Sequence, residues 1–210
     1  MSGPVGCADS VSALAPAAPA PPDPDATLAA ELADDVDRAF EAVVVAYRDA
    51  IVAFVARMLR DDERAEDVAQ EVFVRAYRAL RTYAPERRAA LHLRSWLYAI
   101  AHNMTRNAVR DAGPWFDEPL QYDDGEPRAS LADPAAGPEN DVLRAEAWDR
   151  VTAAIARLSP ALRAAFVMRY VDEIPYDEIA AALQRPVGTV KASAHRGLLA
   201  VRAFLEESDG

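Results

Sequence analysis

Residues 112 to 140, AGPWFDEPLQYDDGEPRASLADPAAGPEN, restrict the possible folds more than any other stretch of this chain. They mix Pro, Gly and acids with neither helical nor alternating periodicity, which is the composition of a linker. On both sides apolar residues recur at helical steps, so the chain reads as two small helical domains rather than one larger one. Phe40, Val44, Tyr47, Ile51, Phe54 and Met58 follow at three- and four-residue intervals, predicting a helix from about Asp37 to Leu59. Asp61 or Asp62 can cap a second helix, in which Glu63 and Glu66 favour the positive end and Val68, Val72, Ala76 and Leu80 form the inner stripe. A third helix, opened by Ser95, presents Leu97, Ile100, Ala101 and Met104. Beyond the linker, Leu143, Ala147, Val151, Ile155 and Leu158 make one stripe, Ser159-Pro160 starts a new helix, and Phe166, Val167 and Tyr170 make the next. Neither a strand nor an internal repeat is legible. The start, SALAPAAPAPPDPDA, is too rich in Pro and too poor in large apolar side chains to repay ordering. The expected architecture is all-α: a disordered acidic tail over 1–36, a helical domain over 37–111, the flexible acidic linker over 112–140, and a second helical domain over 141–206.

The formal net charge of −11 is distributed unevenly. Residues 1–36 carry −6 and residues 112–148 carry −7, whereas residues 37–111 carry +2 and residues 149–210 are balanced. At physiological salt the Debye length is about 8 Å, so acidity in the tail and linker does not cancel a distant basic face. The single cysteine, Cys7, excludes a disulfide framework and a thiolate metal site. His92, His102 and His195 lack metal-ligand spacing, and no Gly-rich phosphate loop is present. Neither an export signal nor a membrane-length apolar run is visible. These absences predict a cytoplasmic protein with no cofactor, no metal and no enzymatic activity, inserted in no membrane and with no dedicated dimerisation segment.

Two stretches stand apart for their lack of acids. Ile179 to Leu205 has no Asp or Glu at all. The helix YDEIAAAL begun at Pro175, whose second half opens this stretch, the turn QRPVG and a helix from Pro186 to about Leu205 make a helix-turn-helix, whose second helix enters a major groove. Val190, Ala194, Leu198, Val201 and Leu205 form that helix's inner face, leaving Thr189, Lys191, Ala192, Ser193, His195 and Arg196 outward. Acids there would meet phosphates, which favours DNA binding. A solvated amphipathic hairpin is the other reading of this pattern. Residues 81 to 110 carry six arginines against one acid, Glu86, with Tyr83, His92, Trp96 and Tyr98 interleaved. Basic charge with rings is what unpaired DNA requires, while core packing is the alternative for Trp96 and Tyr98.

The ordered motifs LSPALRAAFVMRY, YDEIA and PVGTVK resemble the promoter-distal region four of bacterial sigma factors. Independently, AEDVAQEVFVRAYRAL resembles sigma region 2.2, and RSWLYAIAHNMTRN resembles regions 2.3 and 2.4. With no third sigma region between them, the chain resembles the extracytoplasmic-function class of the sigma-70 family, over roughly two-thirds of its length.

The resemblance implies a promoter-specificity subunit that binds core RNA polymerase and directs promoter recognition, DNA melting and transcription initiation. It implies minus-35 contacts by Thr189, Lys191, His195 and Arg196, to which the outward position read for Ser193 adds one more. It implies minus-10 contacts by Arg88, His92, Trp96, Asn103, Arg106, Asn107 and Arg110, with the loop from Arg81 to Leu93 cupping a flipped base. Asp67, Gln70, Glu71 and Phe73 would meet the clamp helices of the largest polymerase subunit, and the second domain the flap of the second subunit. Other implied partners are promoter DNA and an anti-sigma factor, with no obligate homo-oligomer. Arginines that the family pattern often places at the positions of Ser193 and Leu198 are missing, Ala192 replaces a frequent Ser, and Gln184 occupies a turn position usually given to Gly, where a positive φ costs on the order of 1 kcal/mol. Together these departures predict weak duplex binding by the second domain alone. The linker would lie in a basic polymerase channel otherwise used by RNA. A stand-alone helix-turn-helix regulator, binding duplex without polymerase, is the alternative, but it leaves the first domain's motifs unexplained.

Overall fold

The structure is a computed structural model that describes residues 24–110 and 138–208, with side chains placed over 24–108 and 148–207. All its described elements are helical. The expectations for residues 1–23 and for 112–137 of the 112–140 linker lie outside the described residues, while Pro138 to Asn140, expected in that linker, already belong to a helix.

The first departure from the sequence expectation is at the N-terminus. Pro24–Asp34, placed by composition in the unfolded tail, is a helix, α1, with Ala29 and Leu32 fully buried. Leu28, Leu32 and Val36 share one side, and that apolar face decides the outcome although the preceding run is dominated by proline. Asp35 then ends α1 and caps α2 (Val36–Leu59), its Oδ1 accepting from the amides of Asp37 at 2.9 Å and Arg38 at 3.1 Å. Asp61 caps α3 (Asp62–Thr82) in the same manner, through the Arg64 amide at 3.0 Å. A short α4 (Pro85–Ala89) leads into α5 (Leu93–Arg110), which begins two residues before Ser95. The first core joins α2, α3 and α5 through Ile51, Phe54, Val72, Leu80, Leu97 and Tyr98, all fully buried.

The second domain comprises α6 (Pro138–Arg157), α7 (Pro160–Phe166), a π-helical turn over Val167–Val171, α8 (Tyr176–Leu183) and α9 (Val187–Ser208). Ser159 precedes α7 as expected but donates or accepts no side-chain cap bond, so Pro160 alone marks that start. The wide turn ends with the Asp172 amide bonded to the Val167 carbonyl at 2.9 Å and the Ile174 amide to Met168 at 2.8 Å, redirecting the chain into α8. Gln184 joins α8 to α9 at φ 53°, in the left-handed region foreseen for it, at about 1 kcal/mol of strain.

Where α7 crosses α9, Gly197 is the point of closest approach. A Cβ there would lie 3.0 Å from the Phe166 Cβ and 3.3 Å from the Leu162 carbonyl oxygen. Gly197→Val is therefore expected to destabilise the protein by about 1–3 kcal/mol through overpacking, which a urea titration would read as a lowered midpoint with unchanged slope.

The two domains are in contact. Arg163 of α7 is 1% exposed, and no carboxylate pairs with it among the described residues. Its guanidinium instead donates to Ile155 O at 3.2 Å, Ala156 O at 2.8 Å and Leu158 O at 2.8 Å, at the end of α6. It also reaches Met58 O at 3.1 Å and Arg57 O at 3.4 Å, at the end of α2. One side chain thus holds the negative ends of two helices from different domains. Burial, and secondarily Arg60, pushes its pKa down to about 10, so the group stays charged at neutral pH. Around it, Arg57 sits over the Trp148 ring at 5.6 Å, Arg94 donates to the Asp172 carbonyl, and α8 lies along α5.

Candidate nucleic-acid interface

At 100° per residue, positions 96, 103, 106, 107 and 110 of α5, with 92 just before its start, fall within about 60° of one line along the helix. His92, Asn103, Arg106 and Asn107 are exposed and Trp96 is half-buried, so five predicted residues come together on one face. The Arg110 side chain lies outside those described. The inner faces of the helix carry Leu93, Leu97, Tyr98, Ala101 and Thr105, all buried. Tyr98 is therefore core, its ring tilted against Phe54 with centroids 4.9 Å apart, whereas Trp96 turns an edge to Tyr83 at 6.1 Å near the rim. Arg87 lies over Tyr83 at 3.7 Å, extending the cationic and aromatic surface onto α4. Arg88 is half-buried, and its Nε finds no hydrogen-bond partner among the described residues. No acid occurs anywhere from 87 to 110.

α8 borders this face. The Glu178 carboxylate approaches His92 Nδ1 at 3.5 Å. His102 sits deeper, its pKa pushed down to about 4 by burial, then by Arg106 and by Arg185 of the helix-turn-helix turn, so it is neutral at physiological pH. At the end of the π-helical turn, Asp172 has its pKa pushed up to about 6 by burial, against the pull of Arg57, Tyr98 and Arg94. Tyr98 is held well above its ordinary value by burial first and then by the Asp172 carboxylate. Asp172 Oδ2 and Tyr98 Oη are both buried without a hydrogen-bond partner among the described residues.

On α9 the predicted set divides. Lys191 is exposed, with its ammonium 5.7 Å from the Tyr176 ring, and Thr189, His195 and Arg196 are half-buried. Ser193 does not point outward as expected. It is 4% exposed and its hydroxyl returns to the Thr189 carbonyl at 2.8 Å, because the hydroxyl satisfies itself one turn back at a packed position. His195 Nδ1 and Arg196 Nη2 are covered and lack partners among the described residues. Tyr176 went unnoticed in the sequence. Its ring lies under both Lys191 and Arg169, the latter at 4.7 Å, and so ties α8 to the recognition helix.

The acidic face of α3 divides similarly. Asp67 and Gln70 are exposed, Glu71 is half-buried, and the exposed Val74 continues the same line. Phe73 does not share that surface: it is 7% exposed, since its turn of the helix places it with Ala69, Val72 and Ala76 against the core. Val74 is the exposed apolar residue that the sequence reading missed, and its three-residue step from Glu71 was the available signal.

Among the described residues no group of His, Cys, Asp and Glu is arranged to hold a metal ion, and no helix is long and apolar enough to cross a membrane.

Comparison with known proteins gives consistent matches in both halves. The family described as Sigma-70 region 2 matches residues 43–114, and Sigma-70, region 4 matches residues 148–201. The ECF RNA polymerase sigma factor SigW of Bacillus subtilis is 35% identical over 173 residues, covering 80% of this chain and 90% of SigW. The RNA polymerase sigma-H factor of Pseudomonas aeruginosa is 34% identical over 175 residues, covering 80% and 87%. The ECF RNA polymerase sigma-E factor of Escherichia coli K12 is 33% identical over 168 residues, covering 78% and 85%. Among solved structures, CnrH in complex with the cytosolic domain of CnrY has a TM-score of 0.62 at 23% identity, covering 88% of this chain and 99% of that one. The sigma factor RpoE of Bartonella quintana, in complex with the anti-sigma factor NepR, has a TM-score of 0.59 at 20% identity, covering 80% and 96%. At these identities the two structures speak to the fold alone.

Proposed function

Because this chain belongs to the ECF sigma factors of the sigma-70 family and directs transcription initiation, we propose a division of labour among its three surfaces. The outer face of α5 takes the unpaired minus-10 strand: Trp96 and His92 offer rings, Asn103 an amide for a base edge, and Arg106 and Asn107 hold the backbone. α9 enters the minus-35 major groove, with Lys191 positioning on phosphate and Arg196 and His195 reading base edges. Asp67, Gln70, Glu71 and Val74 on α3 meet the clamp helices of the largest polymerase subunit, a basic partner suited to an acidic face. The second domain engages the flap of the second subunit. Polymerase performs the chemistry, so this chain contributes recognition and melting without catalysis of its own, and it acts in the cytoplasm where polymerase and chromosome meet. An anti-sigma factor is its expected inhibitor, as NepR is bound to RpoE.

The observation that carries this reading is the gathering of His92, Trp96, Asn103, Arg106 and Asn107 on one exposed face of an acid-free helix. Run-off transcription with core polymerase on a genomic promoter library tests it. Wild type should yield core-dependent transcripts sharing two spaced motifs. Asn103→Ala should relax the downstream motif and Arg196→Ala the upstream one, each by about 1–3 kcal/mol of discrimination. Duplex binding by the chain alone, with no core-dependent transcript, would favour a stand-alone regulator.

A further inference from the structure

The start of α5 poses a problem of charge. A helix N-terminus carries partial positive charge and unpaired amides, usually answered by a local Ser, Thr, Asp or Asn. Here the preceding position is His92, and residues 87 to 110 hold no acid. A local carboxylate at position 92 would stand on the face assigned to the DNA strand and repel its phosphates.

The answer comes from α1. Asp25 Oδ1 accepts a hydrogen bond from the Arg94 amide at 3.0 Å, 69 residues away in sequence. The same oxygen accepts from the Tyr47 hydroxyl on α2. Asp25 is half-buried, and α1 lies across α2, α4 and the beginning of α5, anchored by Ala29 and Leu32. The carboxylate therefore reaches the helix end from behind and places no first-domain acid on the outer face, where the one carboxylate described near His92 is Glu178 of α8.

We propose that Asp25 is a positioning residue for base recognition. It fixes the first turn of α5, with His92 and Trp96, relative to α2 and α4, and so sets the shape of the loop that receives an unpaired base. This rests on α5 being the minus-10 reader. The effect falls on base selection and strand opening rather than on attachment to polymerase or on the upstream duplex contact, because the two bonds to Asp25 described above come from Tyr47 on α2 and Arg94 on α5, not from the α3 or α9 surfaces assigned to those tasks.

The test uses the full chain assembled with core polymerase on a promoter from the library. Three quantities are compared: competition for core, preference at the upstream element, and permanganate reactivity of thymines on preferred and base-substituted downstream elements. For Asp25→Ala, loss of the cap should lower downstream discrimination and thymine reactivity roughly 5- to 30-fold. Core competition and upstream preference should stay within about twofold. Asp25→Asn keeps an acceptor but loses the charge and should show a smaller loss in the same direction. Tyr47→Phe, which leaves the Arg94 contact in place, should lose less than Asp25→Ala. Thermal melting checks that each variant is folded, and if Asp25→Ala is not, Asp25→Asn decides by the same ratio. A folded variant that keeps downstream discrimination within roughly twofold of wild type overturns the proposal. Equal losses in core competition and upstream preference also overturn it, since they indicate general destabilisation. If wild type itself opens no promoter with core, the minus-10 reading falls, and the role of Asp25 with it.

Discussion

Arg163→Met should destabilise the protein by about 3 kcal/mol, the largest effect expected of any single substitution considered, because several buried carbonyls lose charged donors at once. Methionine fills much of the same volume, so the loss is of hydrogen bonds rather than of packing. Its desolvation relief offsets part of the loss, which keeps the figure below the sum of five separate bonds. Arg163→Lys is expected to recover less than half. A single ammonium has three donors from one point and cannot fork between the ends of α2 and α6, whereas the planar guanidinium does. Urea unfolding followed by both fluorescence and circular dichroism would measure the change. Wild type should unfold in one step with the two probes coincident, and Arg163→Met in two, since the substitution removes a principal tie between domains. A midpoint change worth less than about 1 kcal/mol would show that the interdomain bonds contribute little.

The second large effect concerns pH. Asp172 has an ordinary pKa near 3.8 when unfolded and about 6 when folded. Between those values the folded protein holds a proton that the unfolded chain has released. Raising the pH from 4 to 6 therefore lowers stability, by an amount on the order of 2–3 kcal/mol, and the penalty is then constant above pH 6. Asp172→Asn, neutral at every pH, should be more stable than wild type at pH 7, with the advantage shrinking as pH falls through 6 and vanishing below about 4. Melting both proteins from pH 4 to 7 isolates this group, since the other carboxylates titrate alike in each. Parallel curves, or a less stable Asn variant at pH 7, would contradict burial as the dominant influence on Asp172.

What could be read from the sequence follows the range of the interactions involved. α2, α3, α5 and α9 are visible because each repeats its apolar side every three or four residues; the basic and aromatic character around α5 is visible in composition, whereas the minus-10 residues on it were given by the resemblance. α1 escaped because its two fully buried side chains, Ala29 and Leu32, follow a proline-rich run and depend on distant α4 and α5 for burial. Phe73 was assigned to a surface by resemblance, and Ser193 by its place opposite the apolar stripe of α9. Both belong to broad inner faces whose width depends on how many helices surround them, which a single helix period does not reveal. Arg163 and Asp172 escaped altogether. In a run such as ALRAAF an arginine reads as solvated, and only the meeting of two domains buries it.

The contact between domains also bears on what a DNA-binding measurement would report. On the proposed reading the promoter elements are roughly 25 base pairs apart, about 85 Å of duplex, so α5 and α9 cannot occupy both while α8 rests on α5. Apparent affinity then equals intrinsic affinity multiplied by the fraction of molecules already open. A substitution that loosens the Arg163 tie enlarges that fraction. Folding stability and promoter affinity are thereby set in opposition at one side chain.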